Sequence, residues 1–441
     1  MQSFTADPEA PAAVSAVRAF HAQLASLGEG LDDAGRIDLI RALEELKSGA
    51  AAAQARVSVE FDASQRAAQA ATGVPAERQG RGIAGQIALA RKEAPHRGSR
   101  RLGAAKAWVA EMPFTLAALE EGRLTEWRAE LMVRETALLS LEHRAEVDRE
   151  VCGDPTRLDG MGDTKVVAAA RRAAHRLDPG AAVRRASNAE ADRNVTCRPA
   201  PDTMARISSL LPVAQGVAVY AALKQYADSR TAAGDPRTRG QLMADALVER
   251  VTGQATADGV PVAVHLVVTD ATLLGTDNEP GDLHGHGPVP AGWTRDLIRA
   301  AIERLGAQHA GWLRRVFTDP VSGDVAAMDS RTRRFCEGLD TLIAVRDAGI
   351  CRSPYCDAPI RHTDHVIEFD EGGRTNAANG QGLCQACNIA KQAPGWTAQP
   401  RPGPRHTVAT TTPTGHTYDS TAPPMPGSIR NPYPLDLVWA A

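Results

Sequence analysis

Aromatic residues are scarce, 4% of a 441-residue chain. A core with so few large rings has to be filled by small aliphatic side chains, and that suits closely packed helices. Long hydrophobic runs are missing too: no stretch of about 18 apolar residues is free of charge, which excludes a membrane-spanning helix. The opening residues MQSFTADPEAPAAVSAV lack the basic region and apolar core of a secretion signal. The expectation is a soluble, cytoplasmic protein with no membrane partner. An excess of one charge is absent as well, with a formal net charge of -3 and a sequence pI near 6.5. A chain-wide basic grip on nucleic acid is thereby excluded, so any basic patch must be local. Cysteine is sparse, and its count of 7 is odd, a poor start for a secreted disulfide framework. Cys152, Cys197 and Cys336 are scattered and are expected as buried free thiols.

What is present sorts along the chain. A length of 441 residues implies more than one folded unit. Residues 12–258 carry apolar positions three and four apart, as in IDLIRALEELKSG and RLTEWRAELMVRETALL, and predict a mainly α domain whose candidate target is DNA or a protein partner. Thr238 is a predicted helix cap within it. VPVAVHLVVTD at 260–270 changes to strand-like alternation and opens a mixed strand and helix connection over 259–345. DPVSGD at 319–324 predicts the turn of a hairpin. Residues 346–396 form a small cysteine-bearing α+β module, and 397–441, rich in Pro, Thr and Gly, are expected as an irregular tail. This pattern sets no oligomeric state.

Charge is uneven despite the near-neutral total. Between 78 and 106 lie Arg78, Arg81, Arg91, Lys92, Arg97, Arg100, Arg101 and Lys106, opposed by Glu93. Such a run can neutralise phosphates, which makes Arg97, Arg100 and Arg101 candidate DNA contacts. Its plainer meaning is a solvated helix face.

The module carries the chemistry. Cys351 and Cys356, with Cys384 and Cys387, are two close pairs that can supply four thiolates to one tetrahedral Zn2+. A site with all four positions filled by protein is structural, and metal binding would supply folding energy to a segment too small to build a core alone. Between the pairs sits HTDHVIEF, residues 362–369, followed by EGGR and NAANGQG. HVIEF predicts a strand with Asp364 and His365 at its entrance, EGGR a turn, and LCQACNIAKQ the start of a short helix. In that arrangement Asp364 can face Asn388 across the strand-turn-helix. Their oxygens are hard ligands suited to Mg2+ or Mn2+, leaving His365 to act as a base. His362 is expected as a hydrogen-bonded support, with a ligand or phosphate contact as its sharper role. Arg374 and Lys391 are candidate phosphate contacts.

The order CRSPYC, TDHV, NAANGQG and LCQACNIAK resembles the HNH endonucleases of ββα-metal fold with a four-cysteine zinc. The resemblance implies His365 as general base, Asp364 and Asn388 as ligands of the catalytic cation, and Asn379 as the middle Asn that braces the loop and orients the histidine. The third signature position is Asn388 instead of His, which keeps an oxygen ligand. Upstream, PHRGSRRLGAAK, LTEWRAELMVRET and GDPRTRGQLMADALVERV are similar to the bacterial 13E12-repeat family, whose N-terminal domain has no assigned function. The implied activity is metal-dependent hydrolysis of DNA phosphodiesters. The alternative is a zinc-stabilised nucleic-acid-binding or interaction protein without catalysis.

Overall fold

The computed structural model describes residues 11–257, 266–305, 329–330 and 334–426. It is α-rich, with small sheets toward its C-terminal part, as the periodicity predicts. The chain divides into two compact units, Met1–Phe61 with Gly103–Ala182 and Asp62–Leu102 with Val183–Ala441.

The first unit is helical, and its core shows what aromatic scarcity requires. Ala52, Ala104, Ala129, Ala170 and Ala173 pack with Leu119, Met132, Val147 and Trp108. Small side chains let helices approach closely, and the indole N–H of Trp108 is satisfied by the carbonyl of Ala129 at 3.2 Å. The helix Pro113–Glu120 starts on proline, and the orphan N–H groups of Phe114 and Thr115 donate to the buried carboxylate of Asp148 on the helix Leu141–Cys152. Burial pushes the Asp148 carboxyl up, against the pull of those donors.

The second unit is mixed. Thr238 caps the helix Arg239–Thr252 in a reciprocal box with Gln241, as its position predicts. Within the mainly α region expected over 12–258, Asn194–Ala200 and Met204–Leu210 form an antiparallel hairpin. Asp202 and Thr203 adopt positive φ at its tip, the backbone that a tight hairpin turn demands. Of the strand predicted over 260–270, Leu266–Val267 is observed and 258–265 lie outside the described residues, as does the predicted turn at 319–324.

Three further expectations are corrected, the first that the scattered cysteines are all buried: Cys152 is, but Cys197 and Cys336 are exposed. HVIEF is not a strand: the strand is His362–His365, paired antiparallel with Gly380–Leu383, so Asp364 and His365 stand at its end and not its entrance. The chain leaves the sheet because both backbone groups of Ile367 bond to the side chain of Asn379 and not to a neighbouring strand. Residues 397–426 are not an irregular tail, since Thr397–Arg401, Thr407–Thr411 and Thr417–Thr421 form a three-stranded antiparallel sheet, while 427–441 lie outside the described residues. Threonine favours the pleated backbone, and the buried Arg352 guanidinium donates to the carbonyls of His406 and Ser420, tying that sheet to the cysteine module.

A buried polar network holds the module's frame. Arg346, at the end of the helix Glu337–Arg346, makes a two-point ion pair with Asp347 and donates to the carbonyls of Ala377 and Gly380. Asp347 also accepts from the backbone of Gly382 at 2.9 Å. Each charge is buried and each is paired, the condition under which burial is tolerated.

Candidate active site and metal centre

The four cysteines predicted as ligands converge. Their sulfurs lie within 4.8 Å of one another, all buried, and among the described residues they are the one group of His, Cys, Asp and Glu arranged to hold a metal ion. Each pair sits on a turn. In the first, the backbone N–H of Cys351 donates to Ala358 at 2.9 Å, and Tyr355 takes positive φ. In the second, Cys384 caps the helix Gln385–Lys391, its sulfur accepting from the backbone of Cys387. Tetrahedral Zn–S bonds of about 2.3 Å place sulfurs roughly 3.8 Å apart, and Cys356 and Cys384 stand at 3.9 Å. Hydrogen bonding to Cys356, with burial, pushes the Cys351 thiol up to about 12. Hydrogen bonding with Cys351 and Cys356, with burial, likewise pushes Cys387 up. Thiolate charges packed this closely repel one another, and a divalent cation is the group this donor set fits.

Beside the cysteines, the strand His362–His365 and the helix Gln385–Lys391 bring Asp364, His365 and Lys391 together. His365 is buried, its Nε2 2.9 Å from the hydroxyl of Thr375, and its ring lies against Phe335 and Phe369 with centroids 4.6 and 5.8 Å away. Asn379 is buried with its amide fully used: Oδ1 accepts from the Ile367 N–H at 2.8 Å, and Nδ2 donates to the carbonyls of Ile367 and Arg374, each at 2.9 Å. These bonds clamp the loop that leaves His365. A Cβ at Gly373 would lie 1.9 Å from the carbonyl oxygen of Ile367, so the clamp admits only glycine there.

Asp364 and Asn388 occupy different settings. The Lys391 ammonium bonds to the Asp364 carboxylate and to the backbone carbonyl of His365, and pairs with Glu368 at 2.8 Å. Three oxygens thus surround one positive charge. The Oδ1 of Asn388 is buried and has no hydrogen-bond partner. An orphaned amide oxygen costs about 1–3 kcal/mol, and an amide oxygen is a hard donor of the kind Mg2+ or Mn2+ takes.

The remaining candidates are dispersed. His362 is exposed at the start of its strand, and Arg374 is exposed while its carbonyl serves the Asn379 clamp. Arg97 and Arg100 are exposed, whereas Arg101 is committed to Glu93 at 2.9 Å. Burial works against ionisation of Glu93, yet its bonds to Arg101 and Arg91 hold its carboxyl below the usual range. Sequence reasoning missed Glu368, Thr375 and the Arg346–Asp347–Arg352 network. The Glu368 signal was its place on the first turn after His365. Thr375 offered none, because only the fold carries it to the imidazole.

Two family models match the chain. One, described as a domain of unknown function (DUF222), matches residues 40–347, and one described as HNH endonuclease matches 351–393. Neither a curated protein nor a solved structure matches.

Proposed function

Because the chain belongs to the DUF222 family and carries an HNH endonuclease domain, we propose that it is a metal-dependent DNA endonuclease whose site is His365, Asp364, Asn379 and Asn388, stabilised by a structural Zn2+ on Cys351, Cys356, Cys384 and Cys387. The observation that carries this most is the buried, partnerless Oδ1 of Asn388, on a helix that also reaches Asp364 through Lys391.

Each residue then has a task. With Nε2–H donating to Thr375, a neutral His365 imidazole carries its lone pair on Nδ1 and can take a proton from an attacking water. Asn379 holds the loop after His365 and so fixes where the ring stands. Asp364, Asn388 and Glu368 would hold the catalytic cation. A divalent ion bound there supplies polarisation of the scissile phosphate and charge neutralisation at the leaving 3′ oxygen. Lys391 keeps a positive charge beside the carboxylates and is positioned to meet phosphate when the cation takes its place among them.

That ion pair also favours a second reading. Lys391 satisfies Asp364 and Glu368 without any cation, as it would in a nucleic-acid-binding module that does no chemistry. Plasmid nicking titrated with Mn2+ and Mg2+ separates the two. For the endonuclease, nicking requires the cation, and Asn388→Ala shifts the requirement to concentrations about 10-fold or more higher. DNA binding that is unaffected by cation, with no nicking under any condition, would establish the binding module instead.

A further inference from the structure

The segment 79–98 lies far upstream of the cysteines in sequence but packs against them within the same compact unit. Ala94 is buried in one cluster with Cys351, Cys356, Cys384, Cys387 and Leu383. The next residues, Pro95–Arg97, form a single turn in which Nδ1 of His96 comes to 3.9 Å from the sulfur of Cys356, within reach for a hydrogen bond to sulfur. Two other contacts fasten the segment. A Cβ at Gly82 would lie 2.4 Å from Nε1 of Trp396 and 2.7 Å from Cβ of Ala393, so the backbone there is pressed against the residues just after the second cysteine pair. The Thr414 hydroxyl donates to the side-chain oxygen of Gln86 at 3.1 Å. At its far end a Cβ on Gly98 would fall 1.7 Å from the carbonyl oxygen of Ala84, which folds the His96 turn back on the helix Ile83–Ala90.

We propose that His96 is a hydrogen-bond donor to the Cys356 thiolate, and that the segment 79–98 thereby forms the outer wall of the metal centre. A metal-bound thiolate has no proton and can only accept, so the facing ring nitrogen must carry the hydrogen. Such a bond spreads the charge of four thiolates and fixes the sulfur's orientation. Groups in this outer position commonly govern metal affinity by about 10–100-fold. The zinc centre is then shared between the HNH module and a stretch inside the residues matched by the DUF222 model. This inference rests on zinc occupying the four thiolates and is independent of nuclease activity.

The test uses the zinc-loaded full chain, with metal content measured by mass spectrometry and zinc loss followed with a chromophoric chelator. Wild type should hold one zinc per chain. His96→Ala should lower zinc affinity about 10-fold or more without lowering the stoichiometry reached in excess zinc. In His96→Asn an amide N–H can stand near the former Nδ1, so most of the affinity should be kept. Gly82→Val, which forces the segment off Trp396, should speed zinc loss with His96 intact. Wild-type zinc retention in His96→Ala, or equal loss in His96→Asn and His96→Ala, would overturn the donor role, and unchanged retention in Gly82→Val would overturn the part played by the segment. Wild type that binds no zinc would overturn the four-thiolate assignment beneath both.

Discussion

Asn379 shows how one side chain can shape a site. It satisfies both backbone groups of Ile367 and the carbonyl of Arg374, and it does so from a buried position where water cannot substitute. Asn379→Ala should therefore cost about 2–4 kcal/mol of module stability, measurable as a lower unfolding midpoint. A variant as stable as wild type would show that the loop does not depend on this clamp. The candidate residues Asp364, His365 and Asn379 stand out in the sequence because they lie between two cysteine pairs, and Asn388 because it directly follows the second. Glu368 and Thr375 do not, because a carboxylate after an apolar pair and a threonine after a glycine turn acquire meaning only when the fold sets them against Lys391 and His365.

Among the elements, the C-terminal sheet departs furthest from expectation. Its strands have few apolar residues of their own, and their burial comes from Val408 and Ala409 and from the Arg352 bonds that no local pattern announces. His406 reports this docking. Burial, reinforced by the nearby Arg346 charge, holds its pKa down at about 4, while Nε2 bonds to the carbonyl of Ala378. In the unfolded chain the same ring titrates near 6.5, so between these values the unfolded state binds more protons and stability falls as pH drops. The loss from pH 7 to pH 5 is about 2 kcal/mol from this group, and thermal melts of His406→Gln should show a correspondingly flatter acid dependence. An identical slope in wild type and variant would remove His406 from the account. The cysteine turns were legible by contrast, since two short spacings suffice to define them. Cys384→Ser should release zinc and open the module, while the helical core around Trp108 and Met132, built among the described residues from positions upstream of residue 178, keeps its own melting transition. Retention of one zinc per chain by that variant would contradict the four-thiolate site.

At the scale of the whole molecule, the near-neutral total conceals a division of charge. In the basic run at 78–106, Arg91 and Arg101 pair with Glu93, and Arg97 and Arg100 have exposed side chains, Arg97 next to His96 on the segment that borders the cysteines. Replacing Arg97 and Arg100 with Ala should weaken DNA binding and reduce the magnitude of its salt slope by about 1–2, read from affinities over a salt series. An unchanged slope would make them a solvated face. The helical character of the upstream region was legible from periodicity, but its contact with the metal centre was not, because a pairing across more than two hundred residues leaves no local trace. The central claim is metal-dependent DNA cleavage by His365, and its most direct test is plasmid nicking by wild type and His365→Ala in parallel, with DNA binding measured on both. Wild type should nick in Mg2+ or Mn2+ and not in chelator, and the variant should bind DNA equally but cut about 100-fold or more slowly. Equal cutting by the two proteins, or equal inactivity of both while DNA is bound, would contradict it.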